Sequence, residues 1–375
     1  MNQETTKLKK YKLFYVQPIL AGYRVPIIEK LSDSFNVFAF YDNTDAQKNG
    51  HADYKSNSFQ AIQSTSISFF RKKIFFQKKV ITKTLQIKPD AIITFANTRY
   101  LSFWLLIFIS YLSKIKFYAH GQGLYSYSNP SLFRKFMYRA ICRLSTKYIC
   151  YTELSKQSLI ASGCDPKKLI TIQNSLELQT TIHPSQKTYD EQGILFIGRL
   201  REGCRLDILI EAVKSARKNK FSIELQVIGS GYLEEHYKAL YKDETWIHWH
   251  GAVHNNHCIA EISKLCRIGC YPGDAGLSVV HMFSLALPPL VHRKIEDHMG
   301  PEPSYIIENK NGFLFNSEPA ENDLSTTIET IWELTNKDIS LIANSAHNKY
   351  LEMNNPSMGD QFLHLILDNQ NSPRA

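Results

Sequence analysis

Short apolar runs recur along this chain, each followed by residues at helical spacing. That alternation confines the fold to parallel strands joined by crossover helices. In the first half the expected strands are Leu13–Val16, Asn36–Tyr41, Ala91–Phe95, Ile115–Ala119 and Tyr148–Tyr151. Helices are expected over Val25–Leu31, Phe69–Ile87 and Leu132–Ser145, with an apolar helix around Phe103. The pattern restarts near Gly193, with strands at Ile194–Ile197, Ile223–Ile228, Trp246–Trp249, Ile268–Tyr271 and Leu290–His292. From Leu206 onward, Ile208, Leu209, Ala212, Val213 and Ala216 share one helical face. The fold class is therefore α/β, with two Rossmann-like units in succession. The 375 residues are comfortable for two domains at roughly 100–200 residues each. The polar stretch His183–Tyr189 marks the boundary, which divides the chain into residues 1–183 and 184–355. Residues 356–375 form a C-terminal helix or tail whose return to the first domain is left open by the pattern.

Charge is distributed unevenly between the halves. Residues 1–185 hold 26 Lys and Arg against 10 Asp and Glu, whereas residues 186–375 hold 18 against 25. A basic half joined to an acidic half points to two different partners. The basic half suits phosphates, an anionic membrane surface or nucleic acid. No nucleic-acid-binding motif is present and the acidic half would repel a duplex, so nucleic acid is not expected as a partner. Seven cysteines lack any CxxC pair, the nearest being Cys266 and Cys270, which argues against a disulfide framework or a cysteine zinc site and for a reducing cytosol. Met1–Tyr11 is polar and basic and does not read as a signal peptide. The longest apolar run, Phe103–Leu112, is about half of the roughly 20 residues a spanning helix needs. It reads as a buried helix, with a surface-inserted segment as the alternative. The protein is therefore expected to be soluble or peripheral. Arg71, Lys72, Lys73, Lys78 and Lys79 interleave with Phe69, Phe70, Phe75 and Phe76. That mixture suits an anionic bilayer interface, or a solvated helix with one core face.

In doubly wound sheets, ligands bind beyond the carboxyl ends of the strands. That rule selects the loop Gln17–Arg24 and the segment His120-Gly121-Gln122-Gly123 in the first half. In the second half it selects Gly198-Arg199, Gly229-Ser230-Gly231 and Gly273-Asp274-Ala275-Gly276, the last leading into an apolar helix over Leu277–Leu285. Glycine loops opening helices offer backbone N–H groups to a phosphate, and Arg199 and Arg205 add charge in the same half. Each feature also has a plainer reading. Gly22 makes a tight turn, His120 caps a strand with a satisfied imidazole, Arg199 forms an interdomain salt bridge, His281 is a core histidine, and Asp274 caps a helix. His248 and His250 alternate with Trp246 and Trp249 and read as structural, with no metal partner visible.

Taken together, the stretches FIGRLREGCRLDILIEA, IELQVIGSGYLEE, IHWHGAVHNN, YPGDAGLSVVHMFSLALPPLVH and MGPEPSYIIENKNGFLF resemble the retaining glycosyltransferases of the GT-B fold, specifically family 4. They correspond to that family's GRL turn, strand-end GxG, FxGxV segment, glycine loop with its helix, and GPE and NGxL turns. AGYRVPIIEKL, HGQG and YTELSKQSLIASGCDPKKLITIQNS look like its N-terminal segments. The resemblance implies two Rossmann-like domains facing each other across a cleft, the acceptor held by the first and a nucleotide-sugar donor by the second. It implies catalytic roles for His120 and Arg199. Donor contacts would come from Gly22, Arg199, Arg205, Gly229, Gly231, Gly273, Asp274, Ala275, Gly276, Leu277, Ser278 and His281. Acceptor contacts would come from Tyr23, Arg24, Gly121 and Gln122. No metal or other cofactor is expected, because basic side chains and helix N-termini neutralise the departing diphosphate.

Three positions depart from the family pattern. The slot of its usual lysine is Cys204, with Arg205 adjacent, and the slots of its two glutamates are Gly273 and His281. The loop form GLSVVH is associated with the branch that builds bacterial surface polysaccharides. The expected partners are thus a nucleotide-sugar, a lipid-linked oligosaccharide acceptor and an anionic membrane, at the inner face of the cytoplasmic membrane. The alternatives are a nucleotide-sugar epimerase or isomerase on the same fold and a catalytically degenerate member.

Overall fold

The computed structural model describes residues 11–42, 57–71, 73–219, 221–318 and 320–370. The chain divides into two compact units, one of residues 1–173 with 356–375, the other of residues 174–355. The division falls at Gln173/Asn174, ahead of the polar stretch read as the boundary, because Asn174 and Leu176 already bond and pack within the second unit.

In the first unit the strands are β1 (Lys12–Val16), β2 (Asn36–Tyr41), β3 (Gln60–Gln63), β4 (Ser66–Phe69), β5 (Ile74–Gln77), β6 (Ala91–Phe95), β7 (Lys116–Gly121), β8 (Lys147–Cys150) and β9 (Leu169–Thr171). The helices are α1 (Val25–Ser32), α2 (Lys78–Ile87), α3 (Leu101–Leu112), α4 (Leu132–Leu144) and α5 (Glu153–Ala161). Seven strands form one parallel sheet in the order β3-β2-β1-β6-β7-β8-β9. Apolar clusters cover both faces, as the near-continuous apolar strands require. The helix expected over Phe69–Ile87 is corrected: an antiparallel hairpin, β4–β5, precedes a shorter α2. Aromatic and β-branched residues on both sides of the basic turn favour paired strands, setting Ile67 against Phe76 and Phe69 against Ile74. Lys72, part of the basic run, lies outside the described residues.

In the second unit the strands are β10 (Gly193–Ile197), β11 (Glu224–Ile228), β12 (Ile247–Gly251), β13 (Cys266–Cys270), β14 (Pro289–His292) and β15 (Phe313–Phe315). The helices are α6 (Leu206–Lys218), α7 (Glu234–Leu240), α8 (Asn256–Ser263), α9 (Ser278–Ser284), α10 (Ala320–Glu333) and α11 (Asn336–Asn354). The sheet is parallel, in the order β12-β11-β10-β13-β14-β15. Its chain order reverses between β10 and β13, the switch point where doubly wound sheets open a crevice. His248 and His250 pair with Glu224 and Gln226 on the neighbouring strand, at 2.7 Å each.

A last helix, α12 (Met358–Gln370), belongs to the first unit. It packs on α1, where a Cβ on Gly359 would lie 2.9 Å from Lys30 Cβ, and Lys30 pairs with Asp360 at 3.1 Å. Met358, Phe362, Leu365 and Ile366 complete one face of the first sheet's core. Among the described residues no helix is long and apolar enough to cross a membrane. The apolar helix α3 is only partly buried: Phe103, Leu106 and Ile107 face the core, while Leu105, Phe108 and Leu112 are exposed.

Candidate functional site

At the switch point of the second sheet, loops from β10, β11, β13 and β14 meet, and backbone packs on backbone. A Cβ on Gly229 would fall 1.8 Å from the Gly198 carbonyl oxygen, and Gly229 sits at φ 145°, a conformation open to glycine. A Cβ on Gly231 would fall 2.2 Å from the Leu200 oxygen, and one on Gly273 2.0 Å from the Gly203 oxygen. Hydrogen bonds join the same pairs of loops: Leu200 N–H donates to Ser230 at 3.0 Å and Asp274 N–H to Gly203 at 2.8 Å. The N–H groups of Asp274 and Ala275 are thus engaged within the protein. The glycines first serve close approach of the loops, and not, as the sequence suggested, a uniformly open cradle of N–H donors.

Charged side chains project from this interlocked frame. Arg199 is exposed, and its positive charge acts on Tyr271, the residue that follows β13. Arg205 is exposed at φ 50°, just before α6, and its charge acts on His292 at the end of β14. Cys204, in the slot of the resemblance's lysine, is fully buried in the core. Asp274 does not cap α9; it pairs with Arg201 at 2.7 Å. Ala275 and Gly276 are buried, Leu277, Ser278 and His281 half-buried. The Ser278 hydroxyl has no hydrogen-bond partner among the described residues. Desolvation holds His281 down to about 4, so its imidazole is neutral at pH 7.

Sequence reasoning passed over four residues here. Arg201 closes the glycine loop through Asp274. His298 accepts from the Ala275 N–H through Nδ1 at 3.1 Å and donates from Nε2 to the His292 carbonyl at 2.9 Å. These two bonds set its tautomer. His292 stacks on it with ring centroids 3.8 Å apart. Burial pushes both imidazoles below their usual range, His292 to about 4. Glu302 is buried beneath the same loop and accepts from the Asn174 amide. Arg201 and Glu302 sit within quoted motif stretches and were there to be found; His298 acts through backbone partners, which no spacing reveals.

In the first unit, β7 runs on through His120 to Gly121, so the histidine lies inside the strand and does not follow it. It is 1% exposed. Its Nε2 is 2.7 Å from Gln17 Nε2 and its Nδ1 2.8 Å from Tyr151 Oη, so both ring nitrogens have partners. Phe362 of α12 covers it edge-on at 6.1 Å. Burial, then the nearby Arg24 charge, push its pKa well down and keep it neutral. Arg24 is buried against Tyr151 and Met358, whereas Tyr23 and Gly22 are exposed beside it. Gly22 therefore shares a unit with Tyr23, Arg24, Gly121 and Gln122, apart from the other residues assigned to the donor. Space beside Gly121 is limited, because a Cβ there would lie 3.1 Å from Tyr148 Oη.

Two Rossmann-like halves with parallel, doubly wound sheets define the GT-B fold of glycosyltransferases, and solved structures of that class match nearly the whole chain. Residues 191–333 match the family described as glycosyl transferases group 1. A glycosyltransferase from Rickettsia africae ESF-5 is similar with a TM-score of 0.70 and 15% identity, over 97% of this chain and 99% of that one. HepE of Anabaena, solved with UDP and glucose, is similar with a TM-score of 0.67 and 15% identity, over 96% of this chain and 100% of that one. The lipopolysaccharide outer core galactosyltransferase WaaB, in its apo form, gives 0.60 and 13%, over 92% and 99%. No curated protein sequence matches the chain. At these identities the likeness establishes the fold.

Proposed function

We propose that this protein is a retaining glycosyltransferase. It moves a sugar from a nucleotide-sugar donor, held by the second unit, to a lipid-linked oligosaccharide acceptor, held by the first. The product belongs to O-antigen, capsule or another surface polysaccharide, made at the inner face of the cytoplasmic membrane. The observation that carries the reading is the interlock, at a sheet's switch point, of the loops that bear Arg199, Arg205 and Gly273, with Ser278 and His281 on the helix α9 that follows, within the segment that matches the family. The UDP held by HepE and the lipopolysaccharide substrate class in WaaB's name support the donor and product classes.

In this scheme the bond from the anomeric carbon to the diphosphate oxygen breaks. The acceptor oxygen bonds to that carbon on the same face, and its proton passes to the departing phosphate. Arg199 and Arg205 stabilise the charge that develops on the diphosphate, so the reaction needs no metal ion. His120, neutral and bonded on both sides, holds Gln17 and Tyr151 in place for the acceptor. The test is transfer of radiolabelled sugar to a lipid extract, with thermal shifts against UDP-, GDP- and dTDP-sugars. A donor at about 100 times its Kd stabilises by roughly 2.7 kcal/mol. Absence of both transfer and shift overturns the reading; conversion of the nucleotide-sugar without acceptor marks an epimerase instead.

A further inference from the structure

The segment that brings the chain into the second unit is stitched to the glycine loop and to the helix that follows it. Asn174 is 3% exposed; its N–H donates to Tyr305 Oη at 3.0 Å, and its side-chain amide donates to Glu302. Leu178 N–H donates to Tyr350 Oη on α11 at 3.2 Å, and Ile182 N–H donates to the Ser284 carbonyl, the last of α9, at 3.0 Å. Residues 174–182 are thus bonded at one end to Glu302, beneath the glycine loop, and at the other to the end of α9. Ser175 is buried as well, and its hydroxyl has no partner among the described residues, so Asn174 supplies the side-chain anchor at this turn of the segment.

Glu302 stands where three stretches of backbone meet. It is 2% exposed, and its carboxyl group fills the space that two glycines leave. A Cβ on Gly300 would lie 1.9 Å from Glu302 Oε2, and one on Gly276 would lie 3.6 Å from it. The other oxygen, Oε1, takes the Asn174 amide. Gly300 N–H donates to the Ala275 carbonyl at 3.3 Å, while His298 takes the Ala275 N–H at 3.1 Å. The Ala275 peptide is therefore held on both sides by residues 298–300, and Glu302, just beyond them, holds Asn174. A buried carboxyl group needs its partners, so Glu302 does not release Asn174 freely. A ligand that fixes Gly273–Gly276 favours one position of Glu302 and, through it, one position of Asn174.

We propose that Glu302 is a positioning residue that links nucleotide binding at the glycine loop to the order of residues 174–182. It acts through Ala275 and Gly276 on one side and Asn174 on the other. The nucleotide is taken from the transferase reading, on which the proposal rests. Linkage is reciprocal: the factor by which nucleotide orders the segment is the factor by which loosening the segment weakens nucleotide binding. The test uses the full chain with UDP, GDP and dTDP, read by hydrogen exchange with mass spectrometry and by nucleotide titration. Nucleotide should slow exchange over residues 174–182 at least about fivefold, the low end of coupling between sites. Asn174→Asp sets two carboxyl groups against each other; it should weaken nucleotide binding about fivefold or more and abolish that protection. Glu302→Gln keeps an oxygen for Asn174 and should behave as wild type. The double variant, Asn174→Asp with Glu302→Gln, exchanges donor and acceptor across the same bond and should restore both readouts. A purely structural role would lower melting temperatures and leave the exchange response to nucleotide intact, which overturns the proposal. A double variant no better than Asn174→Asp overturns it too. Exchange in the wild type decides the matter even where Asn174→Asp does not fold. If one nucleotide binds and residues 174–182 exchange at the same rate with and without it, the proposal alone falls. If none of the three binds, the transferase reading falls and takes the proposal with it.

Discussion

His298 bonds two backbone groups at once, and its tautomer follows from them. A protonated ring would set an N–H against the Ala275 N–H, so this pair of bonds belongs to the neutral form. Removing both bonds, each on the scale of about 1–3 kcal/mol when a buried group is left unpaired, should weaken nucleotide binding about tenfold or more. His298→Phe preserves the stack on His292 and should bind as weakly as His298→Ala in a nucleotide titration; a Phe variant at wild-type affinity would assign the effect to stacking. Arg199→Ala should cut turnover at least about a hundredfold, the scale of losing one charge-stabilising donor. Steady-state rates near normal would remove it from the chemistry. Arg205→Ala should weaken nucleotide binding. Cys204→Ser should lower the melting temperature and leave affinity alone, because it puts a hydroxyl into a closed core. His120→Ala should slow transfer strongly while nucleotide affinity stays within a few-fold, and His120→Asn should retain more activity.

At the scale of elements, the glycine loops act through their mutual contact. Gly273→Ala places a methyl carbon 2.0 Å from the Gly203 carbonyl oxygen, so the two loops must part and the Arg201–Asp274 pair with them. Nucleotide affinity should fall more than tenfold while the helical signal in circular dichroism persists; unchanged affinity would show that the loops yield. The same elements show what could be read from sequence. Strands such as Asn36–Tyr41 and Ala91–Phe95 were legible to the residue, the first by Val37, Ala39 and Tyr41 alternating onto one face, the second as an apolar run too short for a helix. The hairpin at Ser66–Gln77 was not, because paired aromatics around a basic turn satisfy helical and strand periods alike over so short a span. The loops bearing Arg199, Gly229 and Gly273 were found by their position after strands, whereas their interlock depends on distances between segments far apart in sequence.

At the scale of the whole molecule, the histidines whose pKa is shifted among the described residues all move one way. His120, His250, His281, His292, His298 and His347 all have pKa values held below the usual 6.5, chiefly by burial. The unfolded chain takes up protons below about pH 6.5 that the native chain refuses, so these groups contribute full stability above that pH and lose it as pH falls below it, through about 4 for His281 and His292. Thermal melts should therefore drop steadily from pH 7 to pH 5; a flat profile would show that these histidines are not buried in solution. The path of the chain has a consequence for synthesis. The helix α12, whose Phe362 covers His120, is the last part of the first unit to leave the ribosome, after the whole second unit has been made. Until then the first sheet waits with part of its core uncovered, and the second unit can close first although its sequence comes later. A released chain truncated after Asn355 should accordingly resist protease over residues 174–355 and remain sensitive around α1, where Ile27, Ile28 and Leu31 lack their partner.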